Sequence, residues 1–94
     1  MEPIRKLNFD EFKHDKLEQG YEVIIERRWE PNVVNDFHQH DFTADVLVVD
    51  GDFWLTAEGD TKHFEPGDTF YVPVGLEHKE KYGPNGCVCW VARL

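Results

Sequence analysis

Two stretches decide the fold of this chain: DFHQHDFTAD at residues 36–45 and GDTFYVPVGLEH at residues 67–78. The first carries two histidines two residues apart, followed shortly by an aspartate. In a β-strand, period-2 alternation places both imidazoles on one face. The second stretch leads from a Gly-Asp turn through an apolar run and a Pro-x-Gly turn to a third histidine. The sequence therefore predicts one metal site, built from His38, His40, His78 and Asp45.

The two stretches resemble the signature motifs of the cupin superfamily, written G-x5-H-x-H-x3,4-E-x6-G and G-x5-P-x-G-x2-H-x3-N. The second motif is matched from Gly67 through Pro73 and Gly75 to His78, with Tyr82 in place of its terminal asparagine.

The first motif is matched less completely. His38 and His40 fit, and Asp45 stands in the glutamate position. Gly51 comes one residue early, and Asn32 or a neighbour occupies the position of the opening glycine.

This resemblance implies an all-β fold, a double-stranded β-helix (jelly-roll or cupin barrel), with a short N-terminal helix. The pattern of many short strands separated by Gly, Pro and Asp independently favours a β-sandwich or barrel. We expect a single cupin domain over residues 1–94. Residues 1–30 would form an N-terminal arm, a short helix and the first strand, and residues 31–94 the barrel core.

The N-terminal third is predicted in three parts. Residues 1–6 are expected to form a lead-in strand or arm, and a helix begins at Asn8 and ends near Gln19. A strand follows at residues 21–30, where Arg27 interrupts an otherwise apolar face. That arginine could reach a carboxylate, lie at an interface, or mark a change of register.

The remaining strands are predicted from turn signals. One strand covers residues 33–42. An Asp50-Gly51 hairpin joins strands 44–49 and 53–58, and a loop at residues 83–86 separates strands 76–82 and 87–93.

Composition narrows the function classes. The 94 residues carry a net charge of -9, which argues against binding to nucleic acid or to anionic membranes. No segment approaches the roughly 20 apolar residues of a membrane-spanning helix, and the N-terminus has no apolar signal core. We therefore expect a cytoplasmic protein.

So short a domain buries a modest fraction of its surface. We expect a homodimer through an exposed sheet edge, with Phe37 and the outward residues of strand 21–30 in contact.

The chemistry follows from the donor set. Imidazole and carboxylate ligands suit a divalent transition metal, and Fe, Mn, Ni, Cu and Zn all accept them. Aspartate is one methylene shorter than the glutamate of the motif, so Asp45 would either bind the metal directly or serve as a base beside it. Tyr82 is a remote candidate acid.

Two function classes remain open. The first is a metal-dependent enzyme, of the oxygenase, lyase or isomerase class, acting on a small organic acid. The second is a non-catalytic cupin that binds or senses a small ligand and signals through a protein partner. A purely structural role would leave the spacing of the histidines unexplained.

Overall fold

The computed structural model describes residues 8–94, so the predicted arm at residues 1–6 lies outside the described part. The elements in chain order are α1 (Phe9–Glu18), β1 (Val23–Trp29), β2 (Val34–His38), β3 (Ala44–Ala57), β4 (Asp60–Phe64), β5 (Thr69–Val72) and β6 (His78–Arg93). Over residues 8–94, no helix combines the length and the apolar character that crossing a bilayer requires.

The helix α1 forms where the sequence predicts it. The Asn8 side chain accepts hydrogen bonds from two backbone N–H groups of the first turn, at 2.9 and 3.2 Å, which satisfies donors that have no partner within the helix. Gly20 follows the helix with φ +99°, a value that favours glycine. The rings of Phe9 and Phe12 pack on Trp90, with centroids 5.4 and 5.6 Å apart, so α1 covers the outer face of β6.

The long strands β3 and β6 organise the sheet. They pair antiparallel from Ala44↔Arg93 to Ala57↔His78, with two irregularities near the middle. The first half of β3 also pairs with β5, and its second half pairs with β4. Likewise β2 pairs with the first half of β6, and β1 with its second half. The result is two four-stranded halves, β5-β3-β6-β1 and β2-β6-β3-β4, which share two strands. This arrangement is the double-stranded β-helix that the sequence predicts.

One predicted hairpin turn and one predicted loop are wrong. The chain does not reverse at Asp50-Gly51 or at residues 83–86, because both segments lie inside the continuous strands β3 and β6. Gly51 and Gly86 instead sit where these strands bend together, with φ +78° and +79°. A Cβ on Gly51 would lie 2.1 Å from the carbonyl oxygen of Gly86. The glycines thus permit a close backbone approach and a β-bulge rather than a hairpin.

The strand predicted at residues 33–42 is also shorter than expected. β2 ends at His38, and His40 lies in the irregular segment that follows.

The core fills the space between the two halves. Alternate residues of β3 and β6 point inward, and Val48, Tyr82 and Cys89 have no exposed surface. The buried cluster consists of Ala44, Val46, Val48, Phe53, Leu55, Val72, Tyr82, Cys87, Cys89 and Val91. Toward one end of this core the inward side chains become polar, and the candidate site begins there.

Candidate metal centre

Four side chains converge at the inner end of β2 and β6. His38, His40, His78 and Glu80 each offer one ligand atom, and these atoms all lie within 4.8 Å of one another. His78 is fully buried, and the other three are half-buried. The three imidazoles of the predicted site therefore come together as expected.

Strand pairing explains this convergence. His38 and His78 are directly opposed residues of β2 and β6, and their ring centroids lie 4.4 Å apart. The ring of His40 lies 4.8 Å from that of His38 and 5.2 Å from that of His78. Glu80 is two residues beyond His78 on the same strand, so alternation places its carboxylate on the same face.

Backbone carbonyls orient two of the rings. His38 Nδ1 lies 2.6 Å from the carbonyl oxygen of Asp36, and His78 Nδ1 lies 2.9 Å from that of Leu76. A carbonyl can only accept, so each Nδ1 carries the hydrogen and donates it. In the neutral ring, each Nε2 then keeps a lone pair that can bind a metal ion.

The two oxygens of Glu80 have different partners. Oε2 lies 2.9 Å from His78 Nε2 and 3.5 Å from His38 Nε2. Oε1 accepts a 2.5 Å hydrogen bond from the Tyr82 hydroxyl, which in turn accepts one of 2.7 Å from the Asn35 amide. The chain from Asn35 to Tyr82 to Glu80 therefore holds the carboxylate with one oxygen toward the imidazoles.

The donor set fits a transition-metal ion. The Nε2 atom of His78 and the Oε2 atom of Glu80 are 2.9 Å apart, and two lone pairs can come this close only around a shared cation, either a proton or a metal ion. Bonds of about 2.0–2.2 Å to nitrogen and oxygen require ligand atoms roughly 3–4 Å apart. The cluster, within 4.8 Å throughout, is close to that spacing.

The environment favours the neutral form of His40. Burial is the main cause that lowers the pKa of His40, and the neighbouring His38 and His78 lower it further, as does Arg93. Glu80 acts in the opposite direction. A neutral imidazole is the form that binds a metal ion.

Asp45 does not join this cluster, which corrects the predicted ligand set. Its neighbours on β3, Ala44 and Val46, line the pocket, so alternation turns Asp45 to the opposite face of the strand. There its carboxylate accepts a 2.7 Å hydrogen bond from Lys16 Nζ on the helix. Asp45 therefore joins the helix to the sheet, and Glu80 is the carboxylate that lies beside the three imidazoles.

Tyr82 lies beside the site but not in the pocket. The side chain is fully buried, and burial together with its hydrogen bond to Glu80 raises the pKa of Tyr82 well above its ordinary value. Its ring stacks on Trp29 with centroids 4.4 Å apart. Tyr82 is thus placed to position Glu80, and it is not among the residues that line the cavity.

The sequence contained a signal for Glu80. His78 and Glu80 form an H-x-E pair at strand spacing, and Tyr82 continues the same alternation. The prediction sought the carboxylate only after the first pair of histidines, where the cupin motif has its glutamate.

A cavity of about 110 Å³ opens in front of the cluster. Its described walls combine the site residues with aromatic and aliphatic side chains and two arginines. The lining residues are Arg27, Trp29, Asn35, His38, His40, Phe42, Ala44, Val46, Phe53, Phe70, Val72, His78, Glu80, Val91 and Arg93.

Comparisons with known proteins identify the fold. No protein-family model matches the chain, and no curated protein matches its sequence. Solved structures do match. An RmlC-like cupin from Shewanella frigidimarina NCIMB 400 has a TM-score of 0.67 at 22% identity over 76% of this chain. KdgF from Halomonas sp. has a TM-score of 0.64 at 25% identity over 74%. The polyketide cyclase RemF from Streptomyces resistomycificus has a TM-score of 0.67 at 27% identity over 76%.

The matched regions cover only part of these proteins. They amount to 63% of the Shewanella chain, 66% of KdgF and 52% of RemF. The likeness therefore concerns the barrel and the order of its strands. The fold of this chain is that of the cupins.

Proposed function

We propose that this protein is a small metal-binding cupin that acts on a small organic acid. One observation carries the proposal: three imidazoles and a carboxylate from two paired strands present ligand atoms within 4.8 Å of one another. His38, His40, His78 and Glu80 would hold the ion.

The donor set determines which ions fit. Three imidazoles and one carboxylate suit Fe, Mn, Ni, Cu or Zn, and they leave positions open on an ion with more than four ligands. When bound, such an ion would polarise a chelated oxygen of the ligand. The protein would contribute the orientation of the rings, through the carbonyls behind His38 and His78, and the position of Glu80, through Tyr82.

The walls of the cavity limit what can bind. Phe42, Phe53, Phe70 and Val91 form apolar walls, which restrict water and favour a compact ligand. A volume of about 110 Å³ corresponds to about seven to eleven water-sized atoms, if each needs about 10–15 Å³. An acid of a few carbon atoms fits this size.

A second candidate function is a non-catalytic module that binds or senses a small ligand. Apart from the four proposed ligands, no described residue lining the cavity carries a carboxyl, a phenol hydroxyl or a thiol. A separate general acid or base is therefore missing from the described walls, and any proton transfer would fall to Glu80, a histidine or the substrate. The likeness to a polyketide cyclase at 27% identity supports the catalytic alternative.

Metal-reconstituted protein separates the two functions. Samples loaded with each of the five metals would be incubated with pyruvate, malonate and malate, and assayed for product, for oxygen uptake and for thermal stabilisation. Turnover that requires metal and is lost in His40→Ala would support an enzyme. Stabilisation without turnover would support the binding module. Protein that takes up none of the metals would contradict the metal centre and the metal-dependent enzyme.

A further inference from the structure

Two arginines line the cavity in a strongly acidic protein. The chain has ten Lys and Arg residues against nineteen Asp and Glu residues, so carboxylate partners are abundant. Yet within residues 8–94 neither Arg27 nor Arg93 forms a side-chain ion pair or hydrogen bond, although Arg28, the residue after Arg27 on β1, pairs with Glu26 at 3.0 Å. The two unpaired cations therefore share the cavity with the imidazoles.

Arg93 stands next to the metal centre. Its guanidinium lies 4.3 Å from the centroid of the Phe42 ring, and that ring stacks on His40 with centroids 4.7 Å apart. The aromatic ring thus holds a planar cation in a fixed position beside a proposed ligand.

Arg93 also has a buried donor without a partner. Its Nε is shielded from solvent and makes no hydrogen bond in the structure. An unsatisfied buried donor is costly, and buried polar groups are nearly always paired. An anion in the cavity would not reach the shielded Nε, but it would accept from the terminal nitrogens of the same guanidinium, whose planar fork matches the two oxygens of a carboxylate.

Arg27 adds a second cation to the same wall. It interrupts the apolar face of β1, and its guanidinium lies 5.3 Å from the centroid of the Trp29 ring. Trp29 also lines the cavity. The residue that broke the apolar pattern in the sequence therefore faces the ligand space.

We infer that the cavity binds a small carboxylate anion, with Arg93 as its primary cation and Arg27 as a secondary one. This inference rests on the proposed function and narrows it to acids whose carboxylate meets Arg93 while another oxygen faces the imidazoles. A dicarboxylate of about seven to eleven non-hydrogen atoms matches the cavity.

Calorimetric titration of metal-loaded protein tests this inference with malonate and with its neutral analogue malonamide. The variants are Arg93→Gln, Arg27→Gln and the control Arg28→Gln, which removes the same charge outside the cavity. We expect Arg93→Gln to weaken malonate binding by about 10- to 100-fold, as for the loss of a charge-assisted hydrogen bond. Arg27→Gln should have a smaller effect, and Arg28→Gln less than about a twofold one. Malonamide binding should not change.

Several results would overturn the inference. These are equal malonate affinity in Arg93→Gln and Arg28→Gln, no malonate binding to wild-type protein, or an equal loss of malonamide binding. Inorganic phosphate binding more tightly than malonate in an Arg93-dependent manner would overturn the assignment to carboxylates.

Metal content, measured on the same samples, separates this inference from the proposed function. Metal-free wild-type protein that still binds malonate through Arg93 would refute the metal centre and leave the anion site standing. Metal-loaded protein whose malonate affinity is unchanged in Arg93→Gln would refute the anion site and leave the metal centre standing.

Discussion

Glu80 is the residue on which the geometry of the site depends. One of its oxygens is fixed by Tyr82 and the other faces His78 and His38. Its side chain is only 12% exposed, and a carboxylate so far removed from water needs a cation or donors around it. Neutral imidazoles whose Nε2 atoms carry lone pairs cannot donate a hydrogen bond to the carboxylate. A bound metal ion would accept lone pairs from the imidazoles and from Glu80 together.

Replacing Glu80 with glutamine tests this role. Glu80→Gln keeps the size of the side chain and removes its charge, so we expect metal affinity to fall by at least about tenfold. Asp45→Asn is the matched control, because Asp45 pairs with Lys16 on the opposite face, and its affinity should equal that of the wild type. Competition with a chromogenic chelator would measure both. A loss in Asp45→Asn but not in Glu80→Gln would restore the ligand set predicted from the sequence.

At the scale of elements, the crossing of β3 and β6 shapes the barrel. Both strands bend where Gly51 approaches Gly86, and each then continues into the other half of the sheet. This bend lets a single pair of strands contribute to both walls of the cavity.

Alanine at Gly51 should destabilise the fold sharply. The new Cβ would meet the Gly86 carbonyl oxygen at 2.1 Å, and φ is +78°, so we expect a loss of about 3 kcal/mol or more in the free energy of unfolding. Gly59→Ala has the same φ of +78° with nothing within 4 Å of the Cβ, and should cost about 1–2 kcal/mol. Urea denaturation measures both. Equal losses of unfolding free energy in the two variants would show that the positive φ, and not the close approach to the Gly86 carbonyl, requires glycine at position 51.

Local sequence predicted the elements better than it predicted their connections. The cap at Asn8 and the trio of histidines follow from short patterns, and the structure contains both. Asp50-Gly51 has the sequence of a tight hairpin. The strand nevertheless continues through it, because β3 pairs there with β6, which is distant in the sequence.

The carboxylate of the site was missed for a related reason. Asp45 and Glu80 both lie near a histidine in the sequence. Alternation from His78 places Glu80 on the histidine face, but no histidine shares a strand with Asp45, so the face of Asp45 depends on strand register. Asp45 follows an inward Ala44, whereas Glu80 shares the face of His78. Cross-strand register depends on distant residues, which short motifs do not encode.

At the scale of the whole molecule, the expected homodimer remains a proposal. β2 pairs on one side only among the described strands, and its Val34 and Phe37 are 52% and 51% exposed. Exposed strand edges with apolar side chains favour pairing with another chain.

Light scattering tests the dimer. We expect about twice the 11.1 kDa mass of the chain, because burying the Phe37 ring against a second copy removes apolar surface from water. Phe37→Asp should yield a monomer, whereas Val74→Asp, at a residue 58% exposed outside β2, should remain dimeric. A monomeric wild type at working concentration would refute the proposal.

The central claim is that His38, His40, His78 and Glu80 hold one metal ion, and elemental analysis of protein purified without a histidine tag tests it most directly. The control is His14→Ala/His63→Ala, which removes two histidines that pair with Glu18 and Asp52 outside the cluster. We predict about one metal ion per chain in the wild type and in this control, and almost none in His38→Ala/His40→Ala. Equal metal content in the two double variants, or none in the wild type after incubation with each of the five metals, would contradict the account.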